Sequence, residues 1–368
     1  MERTRAPFLA LLLLGIALGL WAALRLIGWG VPALAVGFGD WHGPLMVNGV
    51  LATMIGLERA VAVHRREAYL APALSGLGTL ALISPLSTEG AAIAWVASSA
   101  ALTGVFLYLH HLQPTYHASV MVVGATALTL GNALWLFGDP ISDMVLWWLV
   151  FLVLIITAER LELSRIFRPT RWKQGHFAVG TGLLVLSAAS SLWSMDAGII
   201  LAASGLAVLS IWLLRYDVAM LNLRGSGRSR FVAVSLVSGY LWLLVPAWIV
   251  WEGGGGWPGL DYDAFLHSVF LGFVLSLVMA HSMIVLKALV GRDARYSPLY
   301  YLPWGIIQGT LVTRVVSDLQ GWGDLRMWSG LLNVVGIVLF MALLGFYLVR
   351  DSLSWVREMF HPDFMNVQ

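Results

Sequence analysis

The chain has 368 residues, of which 59% are hydrophobic and only 11% charged, far from the balance of a soluble protein. A soluble core cannot hide that much apolar surface, and the 18 tryptophans and ten tyrosines suit the aromatic belts where bilayer meets water. The absence of cysteine excludes structural disulfides, thiolate metal sites, iron–sulfur clusters and covalently attached c-type haem, and a net charge of +2 gives no sign of a nucleic-acid partner.

These limits predict an all-α, polytopic integral membrane protein, a single transmembrane helical domain over residues 1–368. The segment Met1-Glu2-Arg3-Thr4-Arg5 and the apolar run to about Leu26 resemble a signal peptide, but no clear small-residue cleavage site follows, so the run reads as a retained first span. Apolar stretches place spans near 8–28, 43–63, 69–84, 91–109, 117–137, 142–158, 176–194, 196–214, 231–251, 264–287, 299–317 and 327–349, twelve in all. With a cytoplasmic N-terminus, every Lys and Arg except Arg25, Arg314 and Arg326 falls on the cytoplasmic side. That bias predicts cytoplasmic termini in a bacterial-type inner membrane. The connections at 159–175 and 253–259 are too short for a soluble domain.

The second span opens on Trp41-His42-Gly43-Pro44-Leu45-Met46-Val47-Asn48-Gly49 and closes on Gly56-Leu57-Glu58-Arg59. At about 100° per residue, Met46, Gly49, Thr53 and Gly56 fall within about 40° of His42 on one face. Two of these are glycine, so a flat partner can approach closely there. A histidine at the rim of a span above a smooth face suits an embedded haem; a helix-packing groove with a histidine at its edge has the same pattern.

Nine histidines sort by depth. His42 and His267 open spans two and ten at the same outer level, on helices running in the same direction. Such a pair can grip one haem from both sides; two interfacial histidines can also coincide by chance. His281 lies about 21 Å further along the His267 helix and within about 40° of the same face. It is a candidate ligand of a second site with His117, or a histidine bonded to a neighbouring helix. His110, His111 and His117 gather in one loop whose spacing matches no zinc pattern. His64, His176 and His361 lie at helix ends or in the tail. Glu58-Arg59 and Glu159-Arg160-Leu161-Glu162 read as charges that pin helix ends. Arg314 and Asp318, one turn apart, read as a local pair, with Arg314 alternatively facing a haem propionate. No phosphate loop, nucleophile elbow or His-Glu-x-x-His motif is present.

Trp41-His42 with Met46 and Gly49, and His267-Ser268-Val269-Phe270-Leu271-Gly272 running on to Gly291-Arg292, resemble the two His-bearing helix starts of the NnrS-type family. That family comprises haem- and copper-containing membrane proteins linked to nitric oxide stress and denitrification. Pro44 and Leu45 stand where the family commonly carries a second His and a Glu, a departure that bears on the family's copper site and any activity depending on it. His42-Gly43-x-x-Met46 also resembles the low-spin haem helix of haem–copper oxidase main subunits, although span six and span seven between Phe177 and Trp193 carry no histidine and the paired His of that fold's tenth helix is absent.

The resemblance implies a membrane protein holding haem b through His42 and His267, with Met46, Gly49 and Arg314 around it and His281 as a further metal-ligand candidate. Its role would be electron transfer or the handling of nitric oxide, with lipid and an electron donor or membrane complex as partners. The rival expectations are a cofactor-free secondary transporter or channel with Glu58, Glu159 and Glu162 in a cytoplasmic vestibule, and a structural subunit of a membrane complex.

Overall fold

The computed structural model describes residues 5–35, 37–84, 88–164, 170–253, 257–291 and 295–359, with side chains to residue 350. His361, Arg292 and parts of the connections at 159–175 and 253–259 lie outside the described residues.

The chain is all-α. Its helices are α1 (Ala6–Leu26), α2 (Phe38–Val63), α3 (Leu70–Ile83), α4 (Thr88–Leu112), α5 (Tyr116–Leu136), α6 (Ile141–Leu163), α7 (Arg171–Ser191) and α8 (Met195–Tyr216). The short α9 (Ala219–Asn222) follows, then α10 (Gly227–Trp251), α11 (Leu260–Val290), α12 (Tyr301–Gln320) and α13 (Gly323–Met359). Short connections make sequence neighbours antiparallel partners: α3 to α8 pack in succession, as do α10 to α13.

Among the described residues, nine helices are long and apolar enough to cross a membrane, so the chain is a multi-pass membrane protein by length and composition. This corrects the count of twelve. Each of the other three anticipated segments is helical but falls short: α3 has only 14 residues, α7 opens with Arg171, Lys173, Gln174 and His176, and α12 carries Gln308, Arg314, Asp318 and Gln320. In α12 the charges are matched inside the protein, which hydropathy does not register.

The bundle is organised on α6. Met144 to Ile155 are all buried except Trp147, as befits a helix that is apolar all round. By contrast α1 and α13 turn most of their apolar surface outward. Those two are peripheral helices whose exposed leucines, valines and tryptophans face what would be lipid.

Two helices depart from α geometry. In α2, residues Leu45–Ala52 are π-helical, beginning three residues after His42; in α11, residues Ser268–Leu275 are π-helical, beginning directly after His267. A π segment bonds i to i+5 and adds close to one residue per turn, so side chains beyond it lose the register of a 100° wheel. Polar groups brace both segments, buried at the first and partly buried at the second. In the first, Trp148 Nε1 donates to Asn132 Oδ1 (2.8 Å), Asn132 Nδ2 donates to Asn48 Oδ1 (2.9 Å), and Ser75 Oγ donates to the Asn48 carbonyl (2.6 Å). In the second, Trp242 Nε1 donates to Gln308 Oε1 (2.7 Å) and Gln308 Nε2 donates to Ser276 Oγ (2.9 Å).

Candidate haem or metal site

His42 is the first α-helical residue after the turn Phe38–Trp41, and that turn leaves Gly37 at φ +70°, where glycine carries no steric cost. His267 ends the first, α-helical part of α11. The fold brings them together: their imidazole planes lie within 3° of parallel, with ring centroids 6.3 Å apart. His42 Nδ1 is 2.9 Å from the carbonyl of Gly19 on α1. His267 Nδ1 is 2.9 Å from the carbonyl of Asp263, one turn back on its own helix. Both Nδ1 atoms therefore donate, which fixes the tautomer and leaves each Nε2 as the lone-pair nitrogen. Neither Nε2 is engaged by a hydrogen bond among the described residues.

Beside His267 sits a charged cluster. Asp263 Oδ1 is 3.2 Å from His267 Nδ1, while its Oδ2 accepts from Arg314 Nη2 at 2.8 Å and lies 3.3 Å from Arg326 Nη2. Arg326 Nε donates to Asp318 Oδ1 at 2.7 Å. Arg314 and Asp318, anticipated as a local pair, are 3.9 Å apart; each makes its shorter contact elsewhere, because the facing helices bring better-placed partners. Arg314 is thus spent on Asp263 and linked through it to His267. Asp263 and Arg326 were missed by sequence reading. The signal for Asp263 was its i−4 spacing from His267, which stacks the two on one helix face; for Arg326 it was its place, with Arg314, among the three Lys and Arg residues on the outer side.

Two anticipated cavity residues are used for helix packing. A Cβ at Gly49 would lie 2.8 Å from Thr79 Oγ1, and one at Gly15 would lie 3.0 Å from the Gly49 carbonyl, so Gly49 is pressed between α3 and α1. Met46 covers Gly19, its Sδ 2.7 Å from where a Cβ would stand. Both nevertheless face α1, as does His42, whose Nδ1 meets the Gly19 carbonyl of the same helix. An open depression of about 630 Å³, lined by Arg25, Leu26, Phe38 and Asp40 among others, lies at the turn leading into α2 and includes neither imidazole.

The histidine candidates farther along the bundle have protein partners. His281 donates from Nδ1 to the Leu277 carbonyl (2.9 Å), and its Nε2 is 3.5 Å from Arg160 Nη1. A guanidinium at that nitrogen occupies the lone pair a metal would need. Arg160 is also clamped by both carboxylate oxygens of Asp217, at 2.6 and 2.8 Å. His117 does not join His281; it lies 3.6 Å from Glu162 and 3.3 Å from the Thr115 hydroxyl. Arg59 pairs with Glu159, which ties α2 to α6. Among the described residues no three His, Cys, Asp or Glu side chains converge as a metal-binding group.

No curated protein matches the chain. A family model does, over residues 5–347, which takes in both histidine helices, the charged cluster and nearly the whole bundle; the chain belongs to that family, described as a domain of unknown function (DUF8744).

Proposed function

We propose that this protein binds b-type haem between His42 and His267, for electron transfer or the handling of a small gas such as nitric oxide. The parallel imidazoles at 6.3 Å carry the reading. A metal held between two imidazoles whose Nε2 atoms face each other needs ring centres about 6.2 Å apart: two bonds of about 2 Å and two centre-to-nitrogen distances of about 1.1 Å. Donation from each Nδ1 to a carbonyl, with Nε2 left over, is the arrangement that orients ligating histidines. The likeness of the two histidine motifs to the NnrS-type family supports the same assignment.

When bound, a bis-histidine haem would supply a one-electron redox centre. The chain's own part would be to present the two Nε2 atoms to the group and keep both Nδ1 protons in place, beside the buried Trp41, Leu45 and Phe265 of the same two helix starts. The test is a dithionite-reduced minus oxidised visible spectrum of the purified protein with a haem-to-protein ratio. A Soret band with about one haem per chain, the number two histidines can hold, is expected; a colourless, haem-free protein expressed with haem in supply overturns the reading.

We also infer that both termini and the Lys- and Arg-rich connections lie on the cytoplasmic side, from the Lys and Arg distribution. Reporter fusions after Lys173 and after Gly256 should then fall on opposite sides of the membrane. The same side for both would refute that topology.

A further inference from the structure

The two imidazoles are held unequally, and the difference bears on which of them stays. His267 is anchored within its own helix: its Nδ1 donates to the carbonyl one turn back and lies 3.2 Å from the carboxylate of the same residue, Asp263. That carboxylate is fixed by Arg314, through both Nε (3.2 Å) and Nη2 (2.8 Å), and by Arg326, which Asp318 holds in turn. His42 makes no direct ion pair or hydrogen bond with a charged side chain among the described residues. Its Nδ1 meets one neutral carbonyl, Gly19 of α1, a peripheral helix, and His42 itself is the first α-helical residue after a turn. A carboxylate behind a ligating histidine raises the basicity of the far nitrogen and strengthens its bond to a metal; a neutral carbonyl does so less.

We propose that His267 is the retained ligand and His42 the exchangeable one, so that a neutral diatomic gas takes the position of His42, with Asp263 as the positioning residue that sets the difference. The inference rests on the haem reading above. Exchange replaces one neutral lone-pair donor with another, needs no oxidant or reductant, and among the described residues breaks one hydrogen bond, from His42 to the Gly19 carbonyl of α1. Releasing His267 would instead turn an internal helical residue out of register and strand Asp263 between two arginines.

The experiment compares full-length wild type, His42→Ala, His267→Ala and Asp263→Asn, each purified in detergent and checked for monodispersity, with carbon monoxide as the probe. His42→Ala is expected to keep at least half of the wild-type haem, to change from low spin to high spin, and to bind carbon monoxide when reduced. His267→Ala is expected to lose most of its haem. Asp263→Asn is expected to keep haem with its midpoint potential shifted positive, because the carboxylate favours the more positively charged oxidised state. A loss of haem from His42→Ala as complete as that from His267→Ala overturns the proposal, as does the reverse ranking. An unmoved midpoint in Asp263→Asn overturns it independently, even if His42→Ala does not fold. Absence of haem from the wild type would instead overturn the haem reading itself, which separates the two failures.

Discussion

The helix that carries His42 and the helix that carries His267 share a plan built from different neighbours. Each places an eight-residue π segment just after its histidine, sets a glycine in that segment against a side chain of an adjacent helix, and is braced by a tryptophan N–H donating to a side-chain amide. They differ in what holds the imidazole and in what holds the far end. Behind His42 is a neutral carbonyl; behind His267 is a carboxylate between arginines. At the far end, α2 is pinned through the partly exposed Arg59–Glu159 pair, whereas α11 rests on the buried Arg160–Asp217 pair through His281. The comparison teaches that a symmetrical-looking ligand pair can stand on unequal foundations. One half is anchored by charge deep in the bundle, the other by neutral contacts and a tether nearer the surface.

The largest test of that difference is at the far ends. Arg160→Met leaves Asp217 as an unpaired buried carboxylate, 1% exposed, and should destabilise the protein by about 3–5 kcal/mol. The double variant Arg160→Met with Asp217→Leu should recover much of the loss. Thermal unfolding in detergent measures both. Equal stability of the single and double variants would show that the pair does not secure α11.

A smaller effect separates the two glycines. Alanine at Gly272 would put Cβ 2.4 Å from Trp242 Cγ and 2.6 Å from its Cβ, atoms close to the backbone of an indole already held by Gln308. A cost of about 1–3 kcal/mol is expected. At Gly49 the obstacle is one hydroxyl, Thr79 Oγ1, whose rotation relieves the contact. Gly49→Ala should therefore cost less, and a reversal of that order in thermal unfolding would break the account of which segment is more tightly braced. Haem content should follow stability in both variants, since Gly49 meets α3 and α1.

The smallest effect belongs to the tether of α2. Arg59 and Glu159 are 18% and 34% exposed, so their pairing is worth about 0–1 kcal/mol after solvent screening. Arg59→Met should leave the unfolding temperature nearly unchanged at moderate salt. A loss as large as that of Arg160→Met would make the two far ends equivalent.

Much of this was readable in the sequence because the bilayer imposes simple rules. Apolar runs had to become helices, since backbone polar groups in lipid must be paired within the segment, and histidines that open two such runs were conspicuous by chemistry alone. The sequence by itself determined the helical membrane class, the positions of most helices and the two residues worth testing first. The tertiary structure alone decided that Arg314 serves Asp263, that His281 faces Arg160 rather than His117, and that Gly49 packs on Thr79. Each of these depends on a partner far away in sequence. Such partners are not encoded in the local periodicity from which a helix is read; they follow from how neighbouring helices meet.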